Sequence, residues 1–258
     1  EENVPLACDT YRFRAACPEI ARRILPGQFI MVRLTGCDDP LLGRPLALYD
    51  TVLEADGDPY ALDIGYLVGG RMTAVLARLE PGAEVEIWGP LGKWFTNEPT
   101  EHLIMVAGGI GQTPFMALGR EALGSRTYGE LPRRLSYAQR ATLCYGARTA
   151  DLLAGIDEFK NAGIDVRIST DDGTAGHHGL VTDLLNATLD KSSDENCRVV
   201  TCGPELMMEA VAKICSGRNV ACQVSLETPM ACGVGICFSC VTRVRQADGS
   251  WDYKRTCV

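Results

Sequence analysis

The sequence predicts a small β-barrel, then a doubly wound α/β domain, then a short C-terminal metal-binding domain. Residues 1–99 contain several short strand-like runs and little helix. In residues 100–223 strand and helix patterns alternate, which is typical of a parallel sheet with helices on both faces. Residues 224–258 contain a cluster of cysteines. The chain of 258 residues is long enough for two ordinary domains and a short appendage.

Composition excludes several classes of protein. Hydrophobic residues make up 46% and charged residues 22%, as in a soluble globular protein. The net charge of −8 provides no basic field for nucleic acid. No apolar run approaches the roughly 20 residues that span a bilayer. Residues Glu1–Ala7 have neither a basic stretch nor an apolar core, so we expect no secretory signal there.

Within residues 1–99 short apolar runs separated by turn residues predict strands, and one run predicts a helix. Many short strands around one helix predict a small closed barrel. Gly89–Gly92 is predicted to form a tight turn between domains, followed by Trp94 and Phe95 packed at the domain junction. The predicted strands are Phe29–Leu34, Leu46–Leu53, Ala61–Val68 and Glu84–Trp88, and the predicted helix is Met72–Leu79.

The α/β half contains four predicted strand–helix units. Residues 124–140 interrupt the second unit with a polar, arginine-rich stretch, which we interpret as an inserted loop of unknown purpose. The predicted strands are His102–Ala107, Thr142–Tyr145, Asp165–Ser169 and Arg198–Cys202. The predicted helices are Phe115–Leu123, Asp151–Ala162, Leu180–Leu189 and Glu205–Ser216.

The chain has twelve cysteines, of which eight are scattered singly. Several of these lie in apolar runs and are expected to be small buried residues. Scattered thiols together with one cluster indicate a reducing compartment, so we expect a cytoplasmic protein. The three histidines, His102, His177 and His178, form no ligand spacing with an acid and are expected to be structural or solvated. The eight scattered cysteines are Cys8, Cys17, Cys37, Cys144, Cys197, Cys202, Cys215 and Cys222.

The other four cysteines have the spacing of an iron–sulfur site. Cys232-x4-Cys237-x2-Cys240 is followed, after sixteen residues, by Cys257. Plant-type [2Fe–2S] clusters use C-x4-C-x2-C and a distant fourth cysteine, because three thiolates of one tight loop reach two irons and another segment closes the site. The alternative is a structural zinc site, which usually shows two C-x2-C pairs, whereas one is present here.

Two glycine-rich turns follow predicted strands of the α/β half. The turn Gly108-Gly109-Ile110-Gly111-Gln112-Thr113-Pro114 lies between a strand and a helix, where backbone amides and the helix dipole bind phosphate. It is not a complete G-x-G-x-x-G fingerprint, because Pro114 replaces the last glycine. The turn Cys202-Gly203-Pro204 should lie at the same carboxyl edge of the sheet. The alternative for Cys202 is a buried core thiol.

Two segments of the barrel carry groups suited to a phosphate. Arg44 in Arg44-Pro45-Leu46-Ala47 could pair with a pyrophosphate, and the alternative is a solvated surface arginine. Thr73 in Gly69-Gly70-Arg71-Met72-Thr73 could cap the short helix and also donate to a phosphate.

Taken in order, these motifs resemble the ferredoxin-reductase superfamily and, within it, the electron-transfer subunits of class 1B dihydroorotate dehydrogenase. The resemblance covers nearly the whole chain and implies an FAD-binding barrel (1–99), an NAD-binding α/β domain (100–223) and a [2Fe–2S] domain (224–258). Its most specific parts are Gly27-Gln28-Phe29, Arg44-Pro45-Leu46, Gly89–Gly92, Gly108–Gly111, Thr170–Gly173, Gly179–Asp183, Cys202-Gly203-Pro204 and Ser225-Leu226-Glu227.

The resemblance also implies which residues bind the cofactors. Ala47 stands where serine is common, Leu67 where a basic residue is common, and Met72 where glycine precedes the threonine. We expect the pocket to survive these departures with altered FAD affinity or potential. The implied FAD residues are Arg44, Pro45, Leu46, Ala47, Gly65, Tyr66, Leu67, Met72 and Thr73. The implied nicotinamide-nucleotide residues are Gly108, Gly109, Gly111, Thr113, Cys202, Gly203 and Pro204, and the implied cluster ligands are Cys232, Cys237, Cys240 and Cys257.

In such proteins a partner subunit containing FMN oxidises dihydroorotate, and electrons pass through the cluster and FAD to NAD⁺. The resemblance therefore implies an oxidoreductase subunit of pyrimidine biosynthesis, assembled with this partner in a heterotetramer. Two alternatives stay open. One is the flavin subunit of another complex, of the ferredoxin–NADP transhydrogenase or sulfhydrogenase type, and the other is a non-catalytic iron–sulfur module that has lost FAD.

Two details bear on nucleotide choice and on the partner. Arg148 could bind the 2′-phosphate of NADP, but no second basic residue flanks it, and Asp151 would repel that phosphate if it points inward, so NAD is expected. The apolar residues Val234, Ile236 and Phe238 lie between the clustered cysteines, and we expect some of them to be exposed for contact with the partner.

Overall fold

The computed structural model describes residues 1–36, 38–130 and 133–258. Its first domain contains strands β1 (Glu2–Ala7), β2 (Thr10–Ala16), β3 (Phe29–Leu34), β4 (Arg44–Leu53), β5 (Pro59–Leu67) and β6 (Val85–Leu91), with helices α1 (Pro18–Ala21) and α2 (Arg71–Leu76). These strands form one antiparallel sheet in the order β1-β2-β5-β4-β3-β6. Every second residue of β3 (Ile30, Val32 and Leu34) enters a common core, as the two-residue period of a strand requires.

The sheet curls without closing by hydrogen bonds. Among the described residues β1 pairs only with β2, and β6 pairs only with β3, so the predicted closed barrel is wrong in this detail. Both edge strands instead line a groove of about 620 Å³. The predicted turn at Gly89–Gly92 is also wrong for residues 89–91, which belong to β6, since Leu91 pairs with Phe29 of β3.

The second domain contains six parallel strands in the order β10-β9-β8-β7-β11-β12. Residues Leu103, Met105 and Ala107 of β7 face one core, and Ile104 and Val106 face the core on the opposite side. A central strand buried on both faces confirms the predicted doubly wound arrangement. The strands are β7 (Thr100–Gly108), β8 (Ala138–Ala147), β9 (Asp165–Thr170), β10 (His177–His178), β11 (Cys197–Cys202) and β12 (Ala221–Ser225), and the helices are α3 (Phe115–Ala122), α4 (Ile156–Asn161), α5 (Val181–Lys191) and α6 (Glu205–Gly217).

Two details of this domain differ from the prediction. The single helix predicted at Asp151–Ala162 is a short 3₁₀ turn at Ala150–Leu152 followed by α4, because Gly155 between them has a φ of +71°. At the junction with the barrel, Phe95 is buried with its ring centroid 6.1 Å from that of Phe115, as predicted. Trp94 was predicted to pack there as well but is 47% exposed, since adjacent side chains of an extended segment point to opposite sides.

The stretch 124–140 joins the two domains. Its last residues, from Ala138, begin β8, and Leu131 and Pro132 lie outside the described residues. Tyr128 donates a hydrogen bond of 2.6 Å to Asp50 of β4, and Arg126 donates to the carbonyl of Thr51. Arg133 pairs with the fully buried Glu121 of α3 at 2.7 Å. The purpose that the sequence left unknown is therefore a connection between barrel and α/β domain.

Residues 226–258, here called the cluster module, follow β12 and contain the hairpin of β13 (Val241–Arg245) and β14 (Trp251–Arg255). Residues 1–225 are called the two-domain body. Among the scattered cysteines, Cys144, Cys197, Cys202 and Cys215 are buried and Cys8 is exposed, whereas Cys37 lies outside the described residues. No helix in the described part of the chain is long and apolar enough to cross a membrane.

Candidate functional site

Two glycine-rich turns meet at the carboxyl edge of the parallel sheet, as predicted. Ala107 at the end of β7 pairs with Cys202 at the end of β11. A Cβ on Gly111 would lie 2.3 Å from the Cys202 carbonyl oxygen, so only glycine allows this contact. Gly109 has a φ of +55° and open space beside it. Residues Gly109–Gln112 form a 3₁₀ turn that begins at the position where such sheets bind nucleotides.

The turns form the floor of a cleft of about 1010 Å³. Its far wall carries Arg148 and Asp171, and its near walls come from Leu226–Pro229 and from Thr10 and Leu67 of the barrel. The cleft thus lies between the α/β domain, the barrel and the cluster module. Its volume is at the upper end of the roughly 300–1,000 Å³ of ordinary ligand pockets, as an extended dinucleotide requires.

The segment Arg44–Ala47 begins β4 and pairs with β3. The guanidinium of Arg44 is exposed and donates to the carbonyls of Leu42 at 2.9 Å and Gly43 at 3.1 Å. Neither carbonyl neutralises its charge, so these contacts leave the guanidinium able to meet an anion. Pro45, Leu46 and Ala47 are half-buried beside it.

The end of β5 brings the barrel against the glycine turn. A Cβ on Gly65 would lie 2.5 Å from Cγ2 of Thr113, so glycine is needed for this close approach. Tyr66 faces the barrel interior and donates to Asn3 at 2.9 Å, and Leu67 is 41% exposed in the cleft. The side chain of Tyr66 is therefore turned away from the cleft, and only its backbone can reach a ligand there.

The helix α2 follows β5 at the same end of the barrel. Thr73 caps it as predicted, since its Oγ1 accepts the amides of Gly69 at 3.1 Å and Gly70 at 3.2 Å. Met72 is buried in the barrel core, because its apolar side chain fills space between the sheet and α2. A side-chain contact between Met72 and a cofactor is thus excluded by this packing, and its backbone amide is the group left for one.

Cys202 lies beneath the second turn. Its side chain belongs to the core between sheet and barrel, while Gly203 and Pro204 line the cleft. Burial raises the pKa of the Cys202 thiol to about 12, so the thiol stays protonated and unreactive near neutral pH. This placement favours the buried-thiol alternative for its side chain, and its contact with nicotinamide stays a prediction.

The four clustered cysteines converge in one loop and the chain end. Cys240 and Cys257 have their sulfur atoms 3.2 Å apart, and the sulfur of Cys232 accepts the amide of Val234 at 3.4 Å. Hydrogen bonds with Ser239, whose Oγ lies 3.1 Å from the sulfur, lower the pKa of Cys237 to about 6. Soft thiol ligands with amide donors to sulfur fit an iron–sulfur cluster.

The path of this loop depends on glycine. Gly233 and Gly235 have φ of +71° and +79°, and a Cβ on Gly235 would lie 2.8 Å from Cγ1 of Val258. Arg255 of β14 donates to the Gly235 carbonyl, and its guanidinium carbon lies 5.0 Å from the ring centroid of Phe238. The hairpin therefore holds the loop in its shape from one side.

His102 is a buried structural residue and His177 and His178 are exposed, as predicted, but two of them lie beside an acid. His102 is fully buried and lies 3.7 Å from Glu195, with Cys197 in the same group, because β7 and β11 start side by side. Its imidazole bonds to Ser192 at 3.0 Å and Thr142 at 2.8 Å. His177 contacts Asp183 at 3.2 Å. Sequence spacing missed the contacts of His102 because its partners are distant along the chain, whereas Asp183 is only six residues from His177.

Comparison with known proteins agrees with this geometry. Residues 1–96 match an oxidoreductase FAD-binding domain, residues 105–213 an oxidoreductase NAD-binding domain, and residues 227–258 the iron–sulfur cluster binding domain of dihydroorotate dehydrogenase B. The chain is 32% identical over 253 residues to the dihydroorotate dehydrogenase B (NAD⁺) electron transfer subunit of Desulforamulus reducens, covering 98% of this chain and 89% of that protein. The chain belongs to this family of electron transfer subunits.

Other relatives extend the similarity. The corresponding subunit of Geobacillus kaustophilus is 34% identical, with 90% of this chain and 82% of that protein covered. The structure of an NADH-dependent reduced ferredoxin-NADP oxidoreductase is 27% identical with a TM-score of 0.76, covering 99% of this chain and 83% of that one. A cytochrome P450 reductase from Amycolatopsis, 23% identical with a TM-score of 0.67, covers 88% of this chain and 68% of its own and shows the same fold.

These findings confirm the predicted fold class and cofactor set. The chain has an FAD-binding domain, an NAD-binding domain and an iron–sulfur cluster binding domain of an oxidoreductase family. They favour iron–sulfur over the zinc alternative for the four cysteines. The predicted domain limits and the roles of individual site residues stay predictions.

Some residues of the cleft were not singled out from the sequence. Thr10 lines it only because β2 folds back beside β5, which nothing in the sequence indicates. Asp171 lines it as well, although it was noted only as part of the motif Thr170–Gly173. Asp151, which would repel a 2′-phosphate if it pointed into the cleft, is not among the lining residues, and its carbonyl accepts the amide of Cys8 at 2.9 Å.

Proposed function

We propose that this chain passes electrons from an FMN-containing dihydroorotate dehydrogenase catalytic subunit to NAD⁺ in pyrimidine biosynthesis. The observation that supports it most is the convergence of Cys232, Cys237, Cys240 and Cys257, the proposed [2Fe–2S] ligands, in a module that lines the cleft together with the other two domains. When bound, the cluster exchanges single electrons and FAD exchanges a hydride with nicotinamide, so that FAD converts between the two.

In this proposal the chain's own residues bind and orient the groups. The turn that contains Gly108, Gly109 and Gly111 holds the nucleotide pyrophosphate, and Gly203 and Pro204 line the end of the cleft that holds the nicotinamide. Contact between Gly65 and Thr113 keeps the barrel against the turn, so that two sites on different domains stay in register. The protonated thiol of Cys202 supports this turn from below.

FAD is proposed to lie along the start of β4, the end of β5 and the N-terminus of α2. Support comes from the exposed guanidinium of Arg44, the half-buried strand Pro45–Ala47, and open space beside Gly69 and Gly70. The backbone of Tyr66, Met72 and Thr73 completes the site.

The contact with Arg44 can be measured directly. Arg44→Ala should weaken FAD retention, because a charge-assisted hydrogen bond contributes about 1.5–3 kcal/mol. Flavin content after dialysis and FAD titration of the apoprotein measure it, with Arg78→Ala, another exposed arginine of the barrel, as a control. Equal flavin affinity in the two variants would remove Arg44 from the site.

NAD is proposed as the nucleotide in place of NADP. Asp171 lines the far wall of the cleft, where its carboxylate can accept a ribose hydroxyl and would repel a 2′-phosphate. Arg148 lines the same wall and can pair with a 2′-phosphate once the opposing carboxylate is removed. Asp171→Asn should therefore raise the rate of flavin reduction by NADPH relative to that by NADH. An unchanged ratio would move the selectivity elsewhere.

The partner is proposed to dock on the cluster module. Val234, Ile236 and Phe238 of the cysteine loop are 47%, 76% and 62% exposed, so the loop offers apolar surface beside the redox centre. Such surface is typical of a protein interface. Cytoplasmic location is part of the proposal, supported by the free thiols of the described residues.

A second candidate is supported by the similarity to the NADH-dependent reduced ferredoxin-NADP oxidoreductase structure. In that case the partner would exchange electrons with ferredoxin. Anaerobically purified protein, analysed for iron, sulfide, zinc and flavin and then mixed with the FMN subunit, separates the two. NADH formation from dihydroorotate only in the mixture supports the first proposal. Stoichiometric zinc without iron, or no complex at micromolar concentration, would refute it.

A further inference from the structure

Strand β6 of the barrel and the residue after it form hydrogen bonds with the first and the last of the four clustered cysteines. The indole Nε1 of Trp88 donates a hydrogen bond of 3.0 Å to the carbonyl of Cys232. The amide of Gly92, directly after β6, donates one of 3.1 Å to the carbonyl of Cys257. The first and last of the four cysteines are therefore fixed to one strand of the flavin-binding domain.

The same strand leads to the proposed flavin segment by direct pairing. Trp88 lies opposite Met31 of β3, and Met31 lies opposite Pro45 of β4. Residues opposite one another on neighbouring strands share a face of the sheet. With neighbouring strands roughly 4.8 Å apart, the backbones of Trp88 and Pro45 are separated by only about 10 Å.

Two close side-chain contacts on this face bring Trp88 beside Gly43 and the cysteine loop beside Met31. A Cβ on Gly43 would lie 2.7 Å from Cη2 of Trp88, so the indole reaches the residue before Arg44. A Cβ on Gly233 would lie 2.5 Å from Cγ of Met31, so the cysteine loop rests on the middle strand. Trp88 thus contacts a cluster cysteine with one edge and approaches Gly43, the residue before the flavin segment, with the other.

We propose that Trp88 is a positioning residue that docks the cysteine loop on the flavin-binding strands and so fixes the separation of the cluster and FAD. This rests on the proposed function, which gives the chain both groups. With both groups bound, NADH would supply two electrons to the flavin as a hydride, of which one would pass to the cluster and the other would stay on the flavin. Electron transfer between fixed centres slows steeply with distance, so a loosened loop should slow the cluster step alone.

Trp88→Phe removes the indole N–H and keeps an aromatic ring. Rapid mixing of the anaerobic holoprotein with NADH, followed at flavin and cluster wavelengths, measures both steps. One hydrogen bond contributes about 1 kcal/mol, so its loss shifts the equilibrium between the docked and the undocked loop about fivefold. We expect cluster reduction to slow by about that factor or more, with flavin reduction unchanged. Trp94→Phe, the same substitution at an exposed tryptophan, is the matched control and should match wild type.

Two outcomes would overturn the inference. Cluster reduction at the wild-type rate in Trp88→Phe shows that the indole does not set the separation. Loss of iron and sulfide from that variant, with FAD retained, shows that Trp88 assembles the cluster and does not position it. Wild-type protein that lacks flavin or iron refutes the proposed function instead, so the two failures are distinguishable.

A second measurement leaves Trp88 intact. Because the chain has three tryptophans, Trp94→Phe with Trp251→Phe leaves Trp88 as the sole indole fluorophore. Its emission should be quenched while the cluster is bound and should rise when iron is removed by a chelator with FAD still in place. Emission that does not respond to iron removal would overturn the proposed contact even if Trp88→Phe failed to fold.

Discussion

In the two-domain body the barrel and the α/β domain are joined by buried and partly buried ion pairs, whereas the cluster module meets the barrel through a few hydrogen bonds and exposes its hairpin. Asp50 of the barrel is buried and contacts Arg120 and Tyr128 of the other domain. The carboxylate of Glu158 in α4 accepts hydrogen bonds from two residues of the barrel, Tyr49 at 2.5 Å and Arg12 at 2.8 Å. Adjacent residues Tyr49 and Asp50 thus serve two separate junctions.

In the cluster module nearly every residue of β13 and β14 is exposed. A lone two-stranded hairpin is marginal in water, and the loop it supports places Ile236 and Phe238 in solvent. The difference indicates that the body is stabilised by its own packing, whereas the module depends on groups it binds. The junction in the body keeps two cofactor sites in register, whereas the cysteine loop is tied to the barrel and the exposed hairpin of the module is left for a partner.

The largest expected effect comes from removing the metal. Chelation of iron under reducing conditions should abolish the protection of the Val241–Arg255 amides in hydrogen exchange, because binding of metal to the thiolates supplies the folding energy of such small modules. Strands β7 and β8 should keep their protection, and FAD should stay bound. A hairpin equally protected without iron would show that the module is stable by itself.

Next in size is the loss of a buried charge in the body. Glu121 is fully buried against Arg133, which also donates to the carbonyl of Phe95 at 3.1 Å. Glu121→Gln leaves the guanidinium without its counter-charge and should lower the free energy of unfolding by about 3–5 kcal/mol.

Denaturant unfolding followed by far-ultraviolet circular dichroism measures this loss. Glu209→Gln, which removes an exposed i,i+4 pair with Lys213, is the control and should leave the midpoint unchanged. Equal midpoints for both variants would mean that the interdomain junction does not depend on the stretch 124–140.

The sequence predicted most of the α/β domain because its strands are buried on both faces and read as apolar runs, as in Leu103–Ala107. Strands β1 and β2 escaped prediction for the opposite reason. Their outward residues Glu2, Arg12 and Arg14 are charged and are stabilised by one another and by Asp63, which lies far along the chain. Such pairing is a tertiary effect that periodicity does not reveal.

In the candidate site, too, some features could be predicted from local sequence and others depend on tertiary packing. The cysteine spacing and the glycine turns could be recognised locally, because their chemistry depends on neighbouring residues. The buried orientation of Met72 and Tyr66 and the placement of Asp171 in the cleft depend on how strands and domains pack. Trp88 gave no signal at all in the sequence, since its partners Cys232 and Met31 become neighbours only in the fold.

A smaller effect should follow from changing the exposed face of the module. Phe238→Asp places a charge in the proposed interface and should weaken the complex with the FMN subunit about tenfold, or roughly 1.4 kcal/mol. NADH-dependent dye reduction by the isolated chain should be nearly intact. Leu53→Asp alters an exposed leucine at the opposite end of β4 from Arg44 and serves as the control in a binding titration. Equal affinities would place the partner elsewhere.

The smallest expected effect concerns pH and lies wholly in the body. Burial lowers the pKa of His102 from 6.5 to about 4. The imidazole of His102 therefore binds a proton more tightly in the unfolded chain than in the folded one. The free energy of unfolding that depends on neutral His102 is present in full above pH 6.5 and is lost as the pH falls towards 4. Between pH 7 and 5.5 the loss should be about 1 kcal/mol. His102→Gln, compared with wild type in denaturant unfolding at both pH values, should show that much less pH dependence. His178→Gln, which removes an exposed imidazole, is the matched control. If His102→Gln keeps the wild-type pH dependence, the acid sensitivity of the body arises from its carboxylates and not from this imidazole.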